Sequence, residues 1–205
     1  MLANLVPFAL CIMDTSIFLS HLRSYVTVPD TDFEEFLKLL VPLTLQKGGY
    51  FYRAGEVPRY SPFIVKGCLR QFILDESGRE QIILFNEEGN WAGQLGSMRS
   101  RKPTNVYLQA LEPCQILGIT IENVDRAMAM FPWYQQYFLK KYPTDHARLL
   151  EEANRLKSEP PEVLYRELME ARPSLLLRVP QHYIANYLSV RTETLSRIKA
   201  RLLRN

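Results

Sequence analysis

Apolar and polar positions change rhythm twice along this chain. Between Leu45 and Thr120 the apolar residues fall in short runs, within QKGGYFYRAGE, SPFIVKG, CLRQFIL, REQIILFN, NVYLQAL and CQILGIT, separated by Gly-, Pro- or Asn-bearing breaks. Runs of that length bounded by turn residues predict short strands, and the polar DESGR at 75–79 predicts a hairpin turn. A regular series of such strands makes a sandwich or a jelly-roll barrel. Upstream, TDFEEFLKLL (31–40) predicts a short helix opened by a capping box, with Thr31 accepting from the amide of Glu34 and the Glu34 carboxylate reaching back.

Beyond Thr120 the spacing turns helical. IENVDRAMAMF predicts a short helix that ends ahead of Pro132, and a longer one follows over 133–158. Along it Leu139, Tyr142, His146, Leu149, Ala153 and Leu156 step by three and four, the seam of a coiled coil. The stripe is narrow and flanked by charge, which favours pairing with a second helix over packing on the chain's own barrel. Pro143 inside this helix is expected to kink or interrupt it. SEPPE (158–162) marks a boundary, and VLYRELMEA predicts a connecting helix.

The chain then reads VPQHYIANYLSVRTETLSRIKARL (179–202). Apolar Ile184, Leu188, Val190, Leu195, Ile198 and Leu202 suit one helix, a tight break opened by Ser189, and a second helix. Pro180 fits a helix start, and the small Ala185 lies where a steeply crossing helix presses closest. Two helices of this kind can simply close a core. Charge changes the picture. From 191 to 205, Arg191, Arg197, Lys199, Arg201 and Arg204 face Glu193 alone, a net +4, whereas the whole chain carries +3. Positive charge gathered in one terminal helix is the footprint of phosphate contact, so the pattern predicts a helix-turn-helix that binds DNA.

Composition narrows the rest. With 205 residues and 47% hydrophobic content the chain can bury a core in one large or two small domains. Cys11, Cys68 and Cys114 include no CxxC pair, so neither a disulfide framework nor a zinc or iron–sulfur site is expected, and a reducing cytoplasm suits them. The apolar MLANLVPFALCIM has no Lys or Arg before Arg23 and is too short to span a bilayer. It reads as a loosely packed extension over 1–20, or as sequence upstream of a start at Met13. None of His21, His146 and His182 lies between 45 and 120, so a metal-binding barrel lacks its ligands. With no nucleophile–His arrangement and no P-loop, neither an enzyme nor a cofactor is expected. The expected division is a sensory domain over 21–132, a dimerisation helix over 133–158 and a DNA-binding domain over 159–205.

Three stretches carry a resemblance over roughly residues 20–203: GEVPRYSPFIVKGCLRQFILDESGREQIILF (55–85), GNWAGQLGS (89–97) and ETLSRIKARL (193–202). The chain resembles the Crp/Fnr family of bacterial transcription regulators, and IANYLSVRTETLSRI is most similar to members of the Bacteroidetes type. The resemblance implies an α+β fold: an N-terminal β-roll of the jelly-roll, cyclic-nucleotide-binding kind, a long dimerisation helix and a C-terminal winged helix-turn-helix. It implies a homodimer reading a palindromic operator in double-stranded DNA, with RNA polymerase as a further partner and a small-molecule effector in the roll.

Residue by residue, the resemblance places Glu193, Ser196 and Arg197 against bases, where a carboxylate accepts from cytosine and Arg grips guanine. It gives Gln181, Arg191, Lys199 and Arg201 to phosphate positioning, and Thr192 stands where a member of the family has a base-reading Arg. The effector cassette falls on Gly93, Gln94, Leu95, Thr104 and Asn105. Cyclic-nucleotide-binding members have Glu, Arg and Ser where this chain has Gln94, Thr104 and Asn105. Without that Arg a buried phosphate lacks a charge partner, so the effector is not expected to be cyclic AMP. Arg99, Arg101 and Lys102 on the intervening segment are the available substitutes. The alternative reading is a cyclic-nucleotide-responsive regulator or signalling module with a diverged cassette.

Overall fold

The computed structural model describes residues 5–7 and 13–202. The chain divides into two compact units, Met1–Ile73 with Leu84–Tyr142, and Leu74–Ile83 with Pro143–Asn205.

The first unit is built on two four-stranded antiparallel sheets. One has the order β1 (Leu5–Pro7), β2 (Val41–Leu45), β8 (Cys114–Ile119), β4 (Ser61–Lys66). The other has β3 (Tyr50–Tyr52), β7 (Tyr107–Ala110), β5 (Leu69–Leu74), β6 (Glu80–Asn86). The six apolar runs became β3 to β8, while β1 and β2 are strands the pattern did not single out. β4 and β8 are covered on both faces, which is why SPFIVK and CQILGI read as continuous rather than alternating. Phe63 opposite Leu117 faces a helical layer, and Ile64 opposite Ile116 faces the roll interior.

That helical layer comprises α1 (Ser16–Arg23), α2 (Asp30–Leu37), α4 (Ile121–Met130) and the start of α5 (Pro132–Ser158). Phe18, Phe36, Phe63, Tyr134 and Tyr137 are nearly inaccessible within it, with ring centroids 4.7 to 6.0 Å apart along the chain of contacts. Its polar tips are paired. Trp91 Nε1 donates to the Tyr137 hydroxyl at 2.9 Å, which also meets His21 Nε2 at 2.8 Å, and Trp133 Nε1 donates to Asp32 at 3.0 Å.

Two local expectations change here. The capping box at Thr31 is not formed: α2 starts two residues earlier than that box requires, at Asp30, with Pro29 as a cap that makes no side-chain bond. The residue before the helix is then a proline with extended ψ, and Asp30 and Asp32 place carboxylates at the helix's positive end instead. α1 begins within the stretch counted as the extension and buries Phe18 and Leu22 in the core, so residues 16–20 belong with the helical layer. Within the first thirteen residues only the backbone of 5–7 and Met13 lie among the described ones. By contrast α4 follows its sequence signals, with Thr120 accepting from Asn123 N at 3.2 Å as its cap.

The second unit holds the later part of α5, then α6 (Pro161–Ala171), α7 (Pro173–Arg178), α8 (Gln181–Tyr187), α9 (Thr192–Leu202) and the tip of the β5–β6 hairpin. α5 is not interrupted at Pro143; the helix runs through it. Arg155 donates to Glu159 at 2.8 Å and also to Glu167, tying α5 to α6, and the Tyr187 hydroxyl of α8 donates to Glu152. At the hairpin tip the Asp75 carboxylate accepts from the amides of Ser77 and Arg79, and Gly78 takes the positive φ that the turn needs.

Asn186 of α8 grips this hairpin. Its Oδ1 accepts from Ile82 N at 2.7 Å and its Nδ2 donates to Glu80 O at 2.8 Å, so a side-chain amide stands in for a neighbouring strand. The wing expected beside the helix pair has no counterpart among the described residues, where no strand follows β8. α6 is the connecting helix that VLYRELMEA predicts, and α7 is a further short helix that the pattern did not single out.

Candidate nucleic-acid interface and effector cassette

α8 and α9 form a tight pair because the turn between them is closed by backbone chemistry. Ser189 adopts a left-handed φ of 55°, and Val190 N donates to Ala185 O at 2.9 Å. A residue with a Cβ is strained in that conformation, so Ser189 holds it because the packed helix pair on either side fixes the turn. Ile184, Ala185 and Leu188 from one side and Leu195 and Ile198 from the other close the apolar seam.

Burying Leu195 and Ile198 turns the other face of α9 outward. Arg191, Thr192, Glu193, Ser196, Arg197, Lys199 and Arg201 are all exposed, as is Gln181 at the start of α8. Glu193, Ser196 and Arg197 share one face by helical spacing. Among the described residues Arg191, Arg197 and Lys199 have no ion pair, whereas Arg201 meets Glu162 of α6 at 3.2 Å. That last contact is not legible in the sequence.

In the first unit the glycine-rich stretch at 89–97 is laced to β4. Gly89 N donates to Ile64 O at 2.9 Å, Ile64 N to Asn90 O at 3.0 Å, and Ala92 N to Pro62 O at 2.8 Å. Gly93 runs so close to this strand that a Cβ on it would lie 2.4 Å from Ser61 Oγ, which accounts for glycine there. Gln94 and Leu95, at the start of the short helix α3 (Leu95–Ser100), are half-buried. Gln94 Nε2 donates to Gln71 Oε1 of β5 at 3.4 Å.

Thr104 and Asn105 part company. Thr104 is buried and serves the loop itself, its hydroxyl accepting from Val106 N at 3.1 Å and its carbonyl from Gly55 N at 2.8 Å, while Asn105 is exposed. The cations of the segment are drawn outward to α4: Arg99 pairs with Asp125 at 2.8 Å and Arg101 with Glu122 at 3.8 Å, both largely exposed. Lys102 is exposed as well. Hydrogen bonds from the helix start, first its own amide and then Thr120, hold the Glu122 carboxyl below its ordinary range, with Arg101 adding to them. Arg99 and Arg101, two of the three cations on this segment, are thus engaged in surface contacts with α4.

The seam residues of α5 lie open. Leu139, Tyr142, His146, Leu149 and Ala153 are exposed and Leu156 is half-buried, with Leu139 at 75%. Among the described residues there is no group of three His, Cys, Asp or Glu placed to hold a metal, and no helix is long and apolar enough to cross a membrane.

Two antiparallel sheets with a glycine-rich cassette, followed by helices that end in a tight pair, have counterparts among known proteins. The model of the cyclic nucleotide-binding domain matches residues 42–130. Transcriptional regulatory protein btr of Bordetella pertussis is 25% identical, with 91% of this chain and 81% of that protein covered. Transcriptional activator protein anr of Pseudomonas aeruginosa is 26% identical, with 88% and 77% covered. Among solved structures the fold matches FixK2 from Bradyrhizobium japonicum at a TM-score of 0.68, with 18% identity over 80% of this chain and 85% of that one. It also matches the regulator CLP of Xanthomonas campestris, described as c-di-GMP responsive, at 0.68 and 15% over 86% and 92%. Over most of its length the chain is thus similar to transcription regulators of the Crp/Fnr type, and its first unit matches the cyclic nucleotide-binding domain.

Proposed function

We propose that the protein is a homodimeric regulator that reads a palindromic site in double-stranded DNA through α9, under control of a small molecule held in the β-roll. The observation that carries this reading is the outward face of α9. Arg191, Thr192, Glu193, Ser196 and Arg197 stand exposed at the N-terminal end of a helix whose apolar side is consumed by α8. That end of a recognition helix lies deepest in the major groove.

In this reading Glu193, Ser196 and Arg197 contact bases, Arg191, Gln181 and Lys199 contact phosphates, and the open stripe on α5 is the dimer seam. The division of labour is a sensory domain over 21–132, a dimerisation helix over 133–158 and a DNA-binding domain over 159–205. RNA polymerase is the further partner and the cytoplasm the place of action. The named relatives are regulators rather than enzymes, and transcription control needs no catalytic chemistry from this chain.

The test is selection of bound duplexes from a random pool, followed by binding of the selected site at two salt concentrations. An enriched inverted repeat with steep salt dependence is the expected result. A pool that stays random after repeated rounds removes the sequence-reading role.

A further inference from the structure

The roll interior carries polar groups that the fold itself does not use. Tyr52 of β3 and Gln71 of β5 stand on either side of Leu108 of β7, each paired directly with it. Leu108 has no exposed surface, so this cross-strand row faces inward, and the two backbones are about 10 Å apart at two strand spacings. Tyr52 is 3% exposed, and its hydroxyl meets no hydrogen-bonding group among the described residues. Asn86, on β6 of the same sheet, is the second such case through its Nδ2. Gln71 is also buried, and its bond with Gln94 brings the cassette to the same row. A buried hydroxyl without a partner is costly to keep when Phe would pack as well, so its presence calls for a role.

The charge around this row narrows the ligand. Tyr52, Gln71 and Gln94 are all neutral. Arg99 and Arg101 are committed to α4, and Arg70 lies on the opposite face of its strand, where it donates to Gln109 at 2.7 and 2.9 Å. An anion brought inside would find no counter-charge on the row.

We infer that the roll holds a small uncharged molecule whose carbonyl or hydroxyl oxygen accepts from the Tyr52 hydroxyl, and whose other polar end meets the amides of Gln71 and Gln94. A phenol is protonated at neutral pH and can donate, and burial pushes the Tyr52 hydroxyl further above its ordinary range. The inference rests on the reading of the roll as the sensory unit, and it specifies the chemistry of that unit's effector as uncharged.

The test titrates the full-length protein, Tyr52→Phe and Gln71→Leu by ligand-observed NMR. The probes are a panel of uncharged aryl amides and ketones, from benzamide and acetophenone upward, beside benzoate and cyclic AMP. Uncharged members should bind and the anions should not. Tyr52→Phe should bind those members at least tenfold more weakly while melting no lower than the wild type. Preferential binding of the anions, no binding of any uncharged member, or unchanged affinity in Tyr52→Phe would overturn the inference. DNA binding of the same samples is followed in parallel. If the panel fails while DNA binding persists, only the pocket chemistry is lost; if the wild type binds no DNA, it is the proposed function that falls.

Discussion

Arg197 and Arg201 are one helical turn apart on α9 and meet different surroundings. Arg197 is exposed without an ion pair among the described residues, near the end of the helix that enters a groove first, whereas Arg201 reaches Glu162. Arg197→Ala should therefore cost about 1–3 kcal/mol on the selected site and relax preference at one base pair. Glu193→Ala should change the preferred base with little effect on random DNA, since a carboxylate beside phosphates adds no general attraction. Arg201→Ala should weaken selected and random duplexes alike and reduce the salt slope by about one per subunit. The structure adds a variant that sequence alone does not suggest. Glu162→Gln frees the Arg201 guanidinium and should tighten binding to every sequence. Filter binding of the four variants to a site series at two salt concentrations checks all of this, and sequence-independent losses for Arg197 and Arg201 alike would reduce α9 to a basic clamp.

The hairpin between β5 and β6 is an element whose turn was legible and whose docking was not. DESGR announces a turn through its Asp and Gly, and the structure forms it with the Asp75 carboxylate accepting from Ser77 and Arg79. Those bonds, led by the Ser77 side chain, hold the Asp75 carboxyl well below its ordinary range. A lowered folded-state value means the turn gains stability above the unfolded carboxylate range and loses it as pH falls toward the folded value. An NMR titration of the Asp75 carboxyl carbon should find it still ionised where free Asp is half protonated, and a midpoint at the free value would contradict the turn. Asn186→Ala removes both side-chain bonds to the hairpin backbone. It should lower the stability of the second unit by about 1–3 kcal/mol, with faster amide exchange at Ile82. Exchange at Ile82 unchanged from the wild type would show that the hairpin is held some other way.

The stripe on α5 is the largest run of exposed apolar side chains along one helix of the molecule's described residues. Leu139, Tyr142, Leu149 and Leu150 are large apolar side chains left at 75%, 60%, 42% and 54% exposure. Apolar groups so exposed and so aligned are expected to be covered by a second copy across a twofold axis. Leu149→Asp would place a carboxylate in that seam at a cost on the order of 3 kcal/mol, roughly a hundredfold in the dimer Kd. Sedimentation should show wild-type dimers and variant monomers at micromolar concentration. A variant that still sediments as a dimer puts the interface elsewhere.

What the sequence determined by itself is whatever depends on neighbours within a few residues. Strand runs between turn residues, the three-and-four steps of α5, the break at Ser189 and the charge of α9 are all such features, because backbone geometry repeats over two to four residues. Six strands, the fourth and fifth helices and the terminal pair were readable on that ground. Even short-range signals yielded where competing ones were present: Pro29 and Asp30 began α2 before Thr31 could cap it. The tertiary structure decided the partnerships. Asn186 meets residues more than a hundred positions away, Arg99 and Arg101 turn to α4 instead of the cassette, Arg201 finds Glu162, and the Tyr52 hydroxyl finds no partner among the described residues. Each of these depends on which elements pack together and in what register, and a side chain carries no record of that until the core has closed around it.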